Sequence, residues 1–200
     1  MQTLSARATE NGPKEIKVGT NECRIARQGE RLVARAVLAD VVVTVQVPSA
    51  GFAAMLRFSA PEEAAISSAR LQALCDFADQ ALALIFDSTQ SMNIASESML
   101  VSAIGGGDVD DLTHGHGSQL ASAVQESLGR HGVVLSGSDL GGTQTRSVWL
   151  DSSSGRLIVR SASLPSKASV DSGSAGGVQF KEQPGEISPW LPPVRRNAIA

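Results

Sequence analysis

This chain of 200 residues has no tyrosine, and aromatic residues make up only 4% of it. Single-stranded nucleic acid is gripped by stacking bases on rings, so that class of ligand has no platform here. Duplex binding is excluded on charge. Seventeen Lys and Arg stand against 20 Asp and Glu, giving a net charge of -3 with both signs scattered and no basic stripe. The same balance gives an anionic membrane surface nothing to hold. No apolar run is long enough to span a bilayer, and the N-terminus lacks the apolar stretch of a secretory signal. Cytoplasmic localisation without membrane insertion is the expectation. Cysteine is scarce, with only Cys23 and Cys75 and no Cys-x-x-Cys pair. That argues against a disulfide framework and a zinc site, and for buried free thiols.

Hydrophobic residues reach 42% against 18% charged, a balance that suits one globular domain with a real core. Residues 1–14 are small and polar and are expected to form a flexible arm. Residues 15–161 carry the periodic patterns. From residue 162 onward Ser, Gly, Ala and Pro dominate, too little apolar surface to offset chain entropy, so 162–200 is expected to be a flexible tail. Within it, Ser188-Pro189-Trp190-Leu191-Pro192-Pro193 also reads as a polyproline-like docking peptide anchored by Trp190.

The stretch from Leu32 to Val47 is rich in Val, and its run Val41-Val42-Val43 predicts a strand buried on both faces. Pro48 to Gly51 ends it, and Phe52 to Phe58 is placed beside it as a hairpin. Ahead of it, Ile16-Val18 and Cys23-Ile25 read as two short strand pieces. A helix is predicted over Glu62 to Ser88, because Leu71, Leu74, Ala78, Ala81, Leu82 and Ile85 recur at three- and four-residue steps. Asp76 and Asp79 fall beside that stripe. Met99 to Ile104 reads as a strand. Ser118 to Arg130 reads as a second helix capped by Ser118, with Ala121, Val124 and Leu128 inward and His131-Gly132 as its stop. Val133-Val134-Leu135 reads as a further strand.

The strongest local pattern lies between Asp139 and Ser161. Gly141-Gly142 allows a sharp bend, Arg146 opens a strand, Ser147 to Leu150 alternates polar and apolar, and Asp151 to Gly155 is a turn before Leu157 and Val159. This order resembles the C-terminal signature of the CheD family, chemotaxis proteins that hydrolyse glutamine side-chain amides on chemoreceptors. Glu15-Ile16-Lys17-Val18-Gly19 resembles the family's opening strand. Phe77-Ala78-Asp79 resembles its Tyr/Phe-Ala-Asp helix, and Ile104-Gly105-Gly106-Gly107 its Phe-Gly-Gly-Ala turn. The resemblance implies an α/β fold, a layered sandwich of mixed sheets with at least two helices. It also implies partners such as chemoreceptor cytoplasmic helices or a CheC-like phosphatase, and no cofactor.

The family's catalytic motif is Thr-Leu-Gly-Leu-Gly-Ser-Cys-Val, followed by a His in a Gly-Gly-x-x-His segment. The thiolate attacks the amide carbon while the imidazole lowers the thiol pKa and protonates the departing ammonia. Here that position reads Ala34-Arg35-Ala36-Val37-Leu38-Ala39-Asp40-Val41, with Asp40 in place of Cys and Ala34 in place of Thr. The His position falls on Ala54. All three roles are absent together. A carboxylate attacking an amide would form an anhydride that reverts, so Asp40 is no substitute nucleophile.

The leading expectation is therefore a non-catalytic CheD-like binding protein whose docking surface lies around Gly105, Gly106, Gly107, Gly141, Gly142 and Arg146. The alternative is a working amidohydrolase with a relocated nucleophile, Cys23 or Cys75 beside a His. A third reading takes Asp108, Asp110, Asp111, His114 and His116 as metal ligands. Their spacing misses the calcium-loop pattern, which wants Gly at Thr113 and Glu at Gln119, so a polar surface loop and no metal is the expectation. The triple glycine is not a phosphate loop, since no Gly-Lys-Ser/Thr follows.

Overall fold

A computed structural model of the chain describes residues 12–59, 67–109 and 115–163. Most of the N-terminal arm, the start of the predicted first helix, Asp110, Asp111, His114 and the tail from residue 164 with Trp190 lie outside the described residues.

Among the described residues, nine strands form two mixed sheets. They are β1 (Lys14–Lys17), β2 (Glu22–Ala26), β3 (Glu30–Val37), β4 (Val41–Val47), β5 (Phe52–Phe58), β6 (Leu100–Gly105), β7 (Gly137–Leu140), β8 (Gln144–Asp151) and β9 (Leu157–Ser163). One sheet has the order β1-β3-β8-β9 and the other β2-β5-β4-β6-β7. The β1–β3 and β6–β7 pairs are parallel and the rest antiparallel. Helices α1 (Ser68–Ser91) and α2 (His116–Arg130) cover the outer face of the five-stranded sheet. The result is the layered α/β sandwich expected from the sequence, in the order sheet, sheet, helices.

Burial follows from this layering. All seven residues of β4 are buried, as its Val run requires of a central strand covered on both sides. Val41, Val43, Val45 and Val47 face the helices and meet Leu74, Ala78, Leu82 and Ile85 of α1 and Leu120, Val124 and Leu128 of α2. Val42 joins Leu32, Ala34, Val37, Val148 and Leu150 in the apolar layer between the sheets. Phe52–Phe58 pairs with β4 from Val41↔Phe58 to Val47↔Phe52, the predicted hairpin.

Several boundaries differ from the sequence expectation. The stretch Leu32 to Val47 is two strands in two sheets, because Ala36 takes φ +55° and the β3–β8 register shifts between Ala34 and Val37. That bulge bends the chain across from one sheet to the other. The short pieces β1 and β2 likewise part, one to each sheet. Helix α1 starts at Ser68 and runs to Ser91, with the Ser67 hydroxyl accepting the Arg70 N–H at 3.3 Å as its cap. Helix α2 starts two residues before Ser118, and its cap comes from a distance: the Asp108 carboxylate accepts the N–H groups of Gly117 and Ser118, both at 2.9 Å. A negative charge at a helix N-terminus also answers the helix dipole. Val133-Val134-Leu135 is a loop with Val134 exposed, and the strand there is Gly137–Leu140. Its place is fixed by pairing with β6 rather than by apolar content.

Polar ties fasten the layers. Asp79 on α1 lies 2.7 Å from His131 Nε2 and accepts the Ser127 hydroxyl at 3.2 Å, joining the two helices. The His131 contact above all holds the Asp79 carboxyl below the ordinary range. The β8–β9 turn is organised by Asp151, which accepts the N–H groups of Ser153 and Ser154 and the Ser154 hydroxyl and pairs with Arg31 at 3.4 Å. Partial burial raises the Asp151 carboxyl, but the Ser154 bonds and Arg31 outweigh it, and the net shift is downward.

A carboxyl lowered on folding binds its proton more weakly in the native chain than in the unfolded one. Its stabilisation is whole above the unfolded value of about 4 and disappears as pH falls through the folded value. Urea midpoints are therefore expected to fall steeply only below about pH 4. Asp151→Asn should cost about 1 kcal/mol at pH 7 and make that acid decline shallower. Urea titrations of both proteins at several pH values measure this.

Candidate functional site

The end of the sandwich where β3 passes into β4 gathers most of the residues singled out in the sequence. After the bulge at Ala36, the turn Leu38-Ala39-Asp40 runs beside the glycines that follow β6. Gly106 N–H donates to the Asp40 carbonyl and Gly107 N–H to the Leu38 carbonyl, each at 2.7 Å. Gly105 has φ +114°, and a Cβ there would strike the Asp40 carbonyl oxygen, so only glycine keeps this approach. From the other side Gly141 N–H donates to the Gly105 carbonyl at 2.8 Å and Asp108 N–H to the Gly142 carbonyl at 2.9 Å. Gly117, at the start of α2, is pressed against Gly107 so closely that a side chain would meet the Gly107 carbonyl. Two glycine segments, a strand turn and a helix N-terminus thus lock together through main-chain contacts.

Asp40 is held by a residue the sequence reading passed over. Arg57 of β5 donates from Nε to Asp40 Oδ2 at 2.7 Å and also from Nη2 to the same oxygen. Its Nη1 donates to the Arg35 carbonyl at 3.0 Å, on the far side of the bulge. Both side chains are mostly buried, at 14% and 18% exposure. The guanidinium therefore spans β3, its turn and β5, and Asp40 pairs with Arg57, not with the Arg35 side chain. The signal for Arg57 was present in the sequence: it is the sole charged residue of Phe52–Phe58. Its partner depended on register across β4.

The other two positions expected from the resemblance, Ala34 and Ala54, are not brought to Asp40. Ala34 is fully buried between the sheets, opposite Val148. Ala54, paired with Val45 and Ile25, is fully buried on the opposite side of the five-stranded sheet, facing the helices. The side chain that reaches Asp40 lies three residues beyond Ala54.

The expected docking residues are together, but mostly beneath the surface. Gly105, Gly106 and Gly107 are buried and serve as floor rather than contact surface. Arg146 is also buried and its donors are used within the chain. Nε and Nη2 hold the two Asp139 oxygens at 2.9 and 2.8 Å, Nη2 also reaches the Gly141 carbonyl at 2.9 Å, and Nη1 the Gln144 carbonyl at 3.2 Å. Arg146 staples the bend at Gly141-Gly142, whose positive φ values of +81° and +76° make the sharp turn. The exposed rim here is Gly142, Thr143 and Gln144.

Neither thiol joins the Asp40–Arg57 pair: Cys23 pairs beside Arg57 in the sheet but packs on the helix-facing side. Cys23, half-buried on β2 opposite Leu56, has its pKa pushed up to about 11 by burial, so it stays a protonated thiol at neutral pH. Cys75 is half-buried on α1. Of the proposed metal loop, Asp108 caps α2 and His116 is its first, buried residue. No three His, Cys, Asp or Glu side chains group together among the described residues. No helix among them is long and apolar enough to cross a membrane.

Arg57→Ala leaves a mostly buried carboxylate without its cation and is expected to cost about 1.5–3 kcal/mol in urea unfolding. Arg57→Lys should recover only part of this, because an ammonium cannot bind Asp40 and the Arg35 carbonyl with one rigid fork. Equal stability of the lysine variant and the native chain would contradict the bridging role.

Comparison with known proteins agrees with this architecture. The family model described as CheD chemotactic sensory transduction matches residues 59–161, just over half of the chain. A probable chemoreceptor glutamine deamidase CheD of Haloarcula marismortui is 28% identical over 157 residues, covering 77% of this chain and 89% of that protein. Its counterpart in Solibacter usitatus is 24% identical over 147 residues, covering 72% of this chain and 87% of that one. A further relative from Syntrophus aciditrophicus is 23% identical over 154 residues, covering 76% of this chain and 96% of its own. With the sandwich, the glycine floor and the matched C-terminal hairpin in agreement, the chain belongs to the CheD family.

Proposed function

We propose that this chain acts in cytoplasmic chemotaxis signalling as a non-catalytic CheD, binding chemoreceptor helices or a CheC-like phosphatase without hydrolysing glutamine. The observation that carries the reading is the Asp40–Arg57 pair at the position of the family's cysteine. Amide hydrolysis needs a nucleophile with a free electron pair and an acid to protonate ammonia as it leaves. A carboxylate such as Asp40 would form only an anhydride that reverts to the amide. Its side-chain partner Arg57 is a hydrogen-bond donor fixed on one carboxylate oxygen rather than an imidazole placed to protonate ammonia. The extent of the family match agrees: it begins at residue 59, after the segment that would hold the cysteine and histidine. The scaffold that positions the site, by contrast, keeps its glycines and its hairpin.

Burial argues against Cys23 as a relocated thiol, since it holds the group protonated. Cys75 lies against Arg130, but the neighbouring His131 is engaged with Asp79 between the helices.

Incubating the full chain with a glutamine-bearing chemoreceptor cytoplasmic fragment separates the two activities. Calorimetry should detect association with the receptor fragment or with a CheC-like phosphatase, and mass spectrometry should find every glutamine intact. Deamidation that disappears in Cys23→Ala or Cys75→Ser would overturn the non-catalytic reading, and absence of association with both partners would remove the binding role.

A further inference from the structure

Among the described residues, the four-stranded sheet is covered on one face only. Its inner face packs on the five-stranded sheet, and the helices lie beyond that. On the outer face Trp149 sits half-buried near the centre, in register with Val33 of β3 and Ile158 of β9. Val33 in turn pairs with Lys17 of β1. Two guanidinium groups lie against the same indole, Arg35 at 5.5 Å and Arg160 at 5.4 Å from the ring centroid. The π face attracts each cation, but it carries no net charge to cancel their mutual repulsion.

The carboxylates of this face are too few to do so. Asp151 is taken by Arg31 and by its own turn. Glu15 reaches Arg35 only at 3.9 Å, and the Arg35 side chain remains 60% exposed. Among the described residues, Arg160 and Lys17 have no ion-pair partner, and neither the Arg35 nor the Arg160 side chain donates a hydrogen bond within the chain. A chain of net charge -3 thus places a local excess of positive charge around one indole, with planar N–H forks held in position and unused.

We propose that this face is a docking surface for an acidic segment of a partner protein, whose carboxylates are received by Arg35, Arg160 and Lys17 around Trp149. Charge complementarity selects the partner's sign. The guanidinium fork matches a carboxylate, and an ordered Trp flanked by Arg is the composition of energetic centres in protein interfaces. A lipid surface fits less well. Arg160, Lys17 and the weakly paired Arg35, interspersed with Glu15 and Asp151, fall short of a polybasic cluster, and the indole lies between guanidinium groups rather than projecting. The surface adjoins the Asp40 site, since the Arg35 carbonyl accepts from Arg57. It is nevertheless a separate face, and the proposal stands whether or not the receptor or phosphatase reading holds.

The test titrates the full chain by calorimetry with a synthetic glutamate-rich peptide and with the same peptide carrying glutamine in place of glutamate. The native chain should bind the glutamate peptide, more weakly as salt rises, and ignore the glutamine peptide. The doubly substituted Arg35→Ala/Arg160→Ala protein, shown to be folded by its circular dichroism, should bind about tenfold more weakly. Unchanged affinity in that variant, no affinity for the glutamate peptide in the native chain, or equal affinity for the two peptides would overturn the proposal. So would binding to phosphatidylglycerol vesicles that the double substitution abolishes while peptide binding persists.

Discussion

The rest of the fold depends on the burial of β4 on both faces. A strand of seven buried residues can exist only if one layer covers each side of its sheet. The helices meet this need on one side through Leu74, Leu82, Ile85, Val124 and Leu128. The four-stranded sheet meets it on the other through Leu32, Val37, Val148 and Leu150. Because β3 belongs to that covering sheet and β4 to the covered one, the chain must cross between layers within Leu38–Asp40. The crossing falls at one end of the sandwich, where the glycine segments after β6 and β7 also arrive. The location of the site is a consequence of how the core is covered.

At that end a carboxylate and a guanidinium, Asp40 and Arg57, form an ion pair. Sulfur and imidazole are reactive because each is incompletely satisfied, one as a thiolate and one as a base near its own pKa. A carboxylate bridged by a guanidinium is a satisfied arrangement, and Arg57 also fastens the Arg35 carbonyl across the bulge. The pair ties β5 to the crossing from β3 into β4. Main-chain contacts at Gly105, Gly106 and Gly117 keep the surrounding geometry tight, so these glycines fix the frame around the pair.

Charges elsewhere divide into the same two kinds. Asp139–Arg146, Asp151–Arg31 and Asp79–His131 each close a bend or join two elements, and their partners have little left to offer. Arg160 differs, because aromatic contact positions it without neutralising it, and Arg35 differs in part, since its pair with Glu15 is long and exposed. Cations that are placed but not used mark a surface more informatively than the number of charges on it.

The layers were legible in the sequence. The Val run of β4, the spacing of Leu74, Ala78 and Ile85, and the alternation from Ser147 to Leu150 are local patterns, and each led to an element of the right kind. The family could be recognised for the same reason, since the glycines and the final hairpin lie within short stretches. What the sequence did not carry was the pairing of elements far apart. The break at Ala36 has no glycine to announce it, polar Gly137–Leu140 is a strand only because β6 is beside it, and the cap of α2 comes from Asp108 across a loop. Arg57 was visible as a lone charge in an apolar strand, but its bond to Asp40 needed the register of β4 and β5. The amino-acid order by itself determined which residues must be buried and at what period. Tertiary structure decided which sheet each strand joins and which charges meet, because hydrogen bonds and ion pairs between distant residues form only once packing has brought them together.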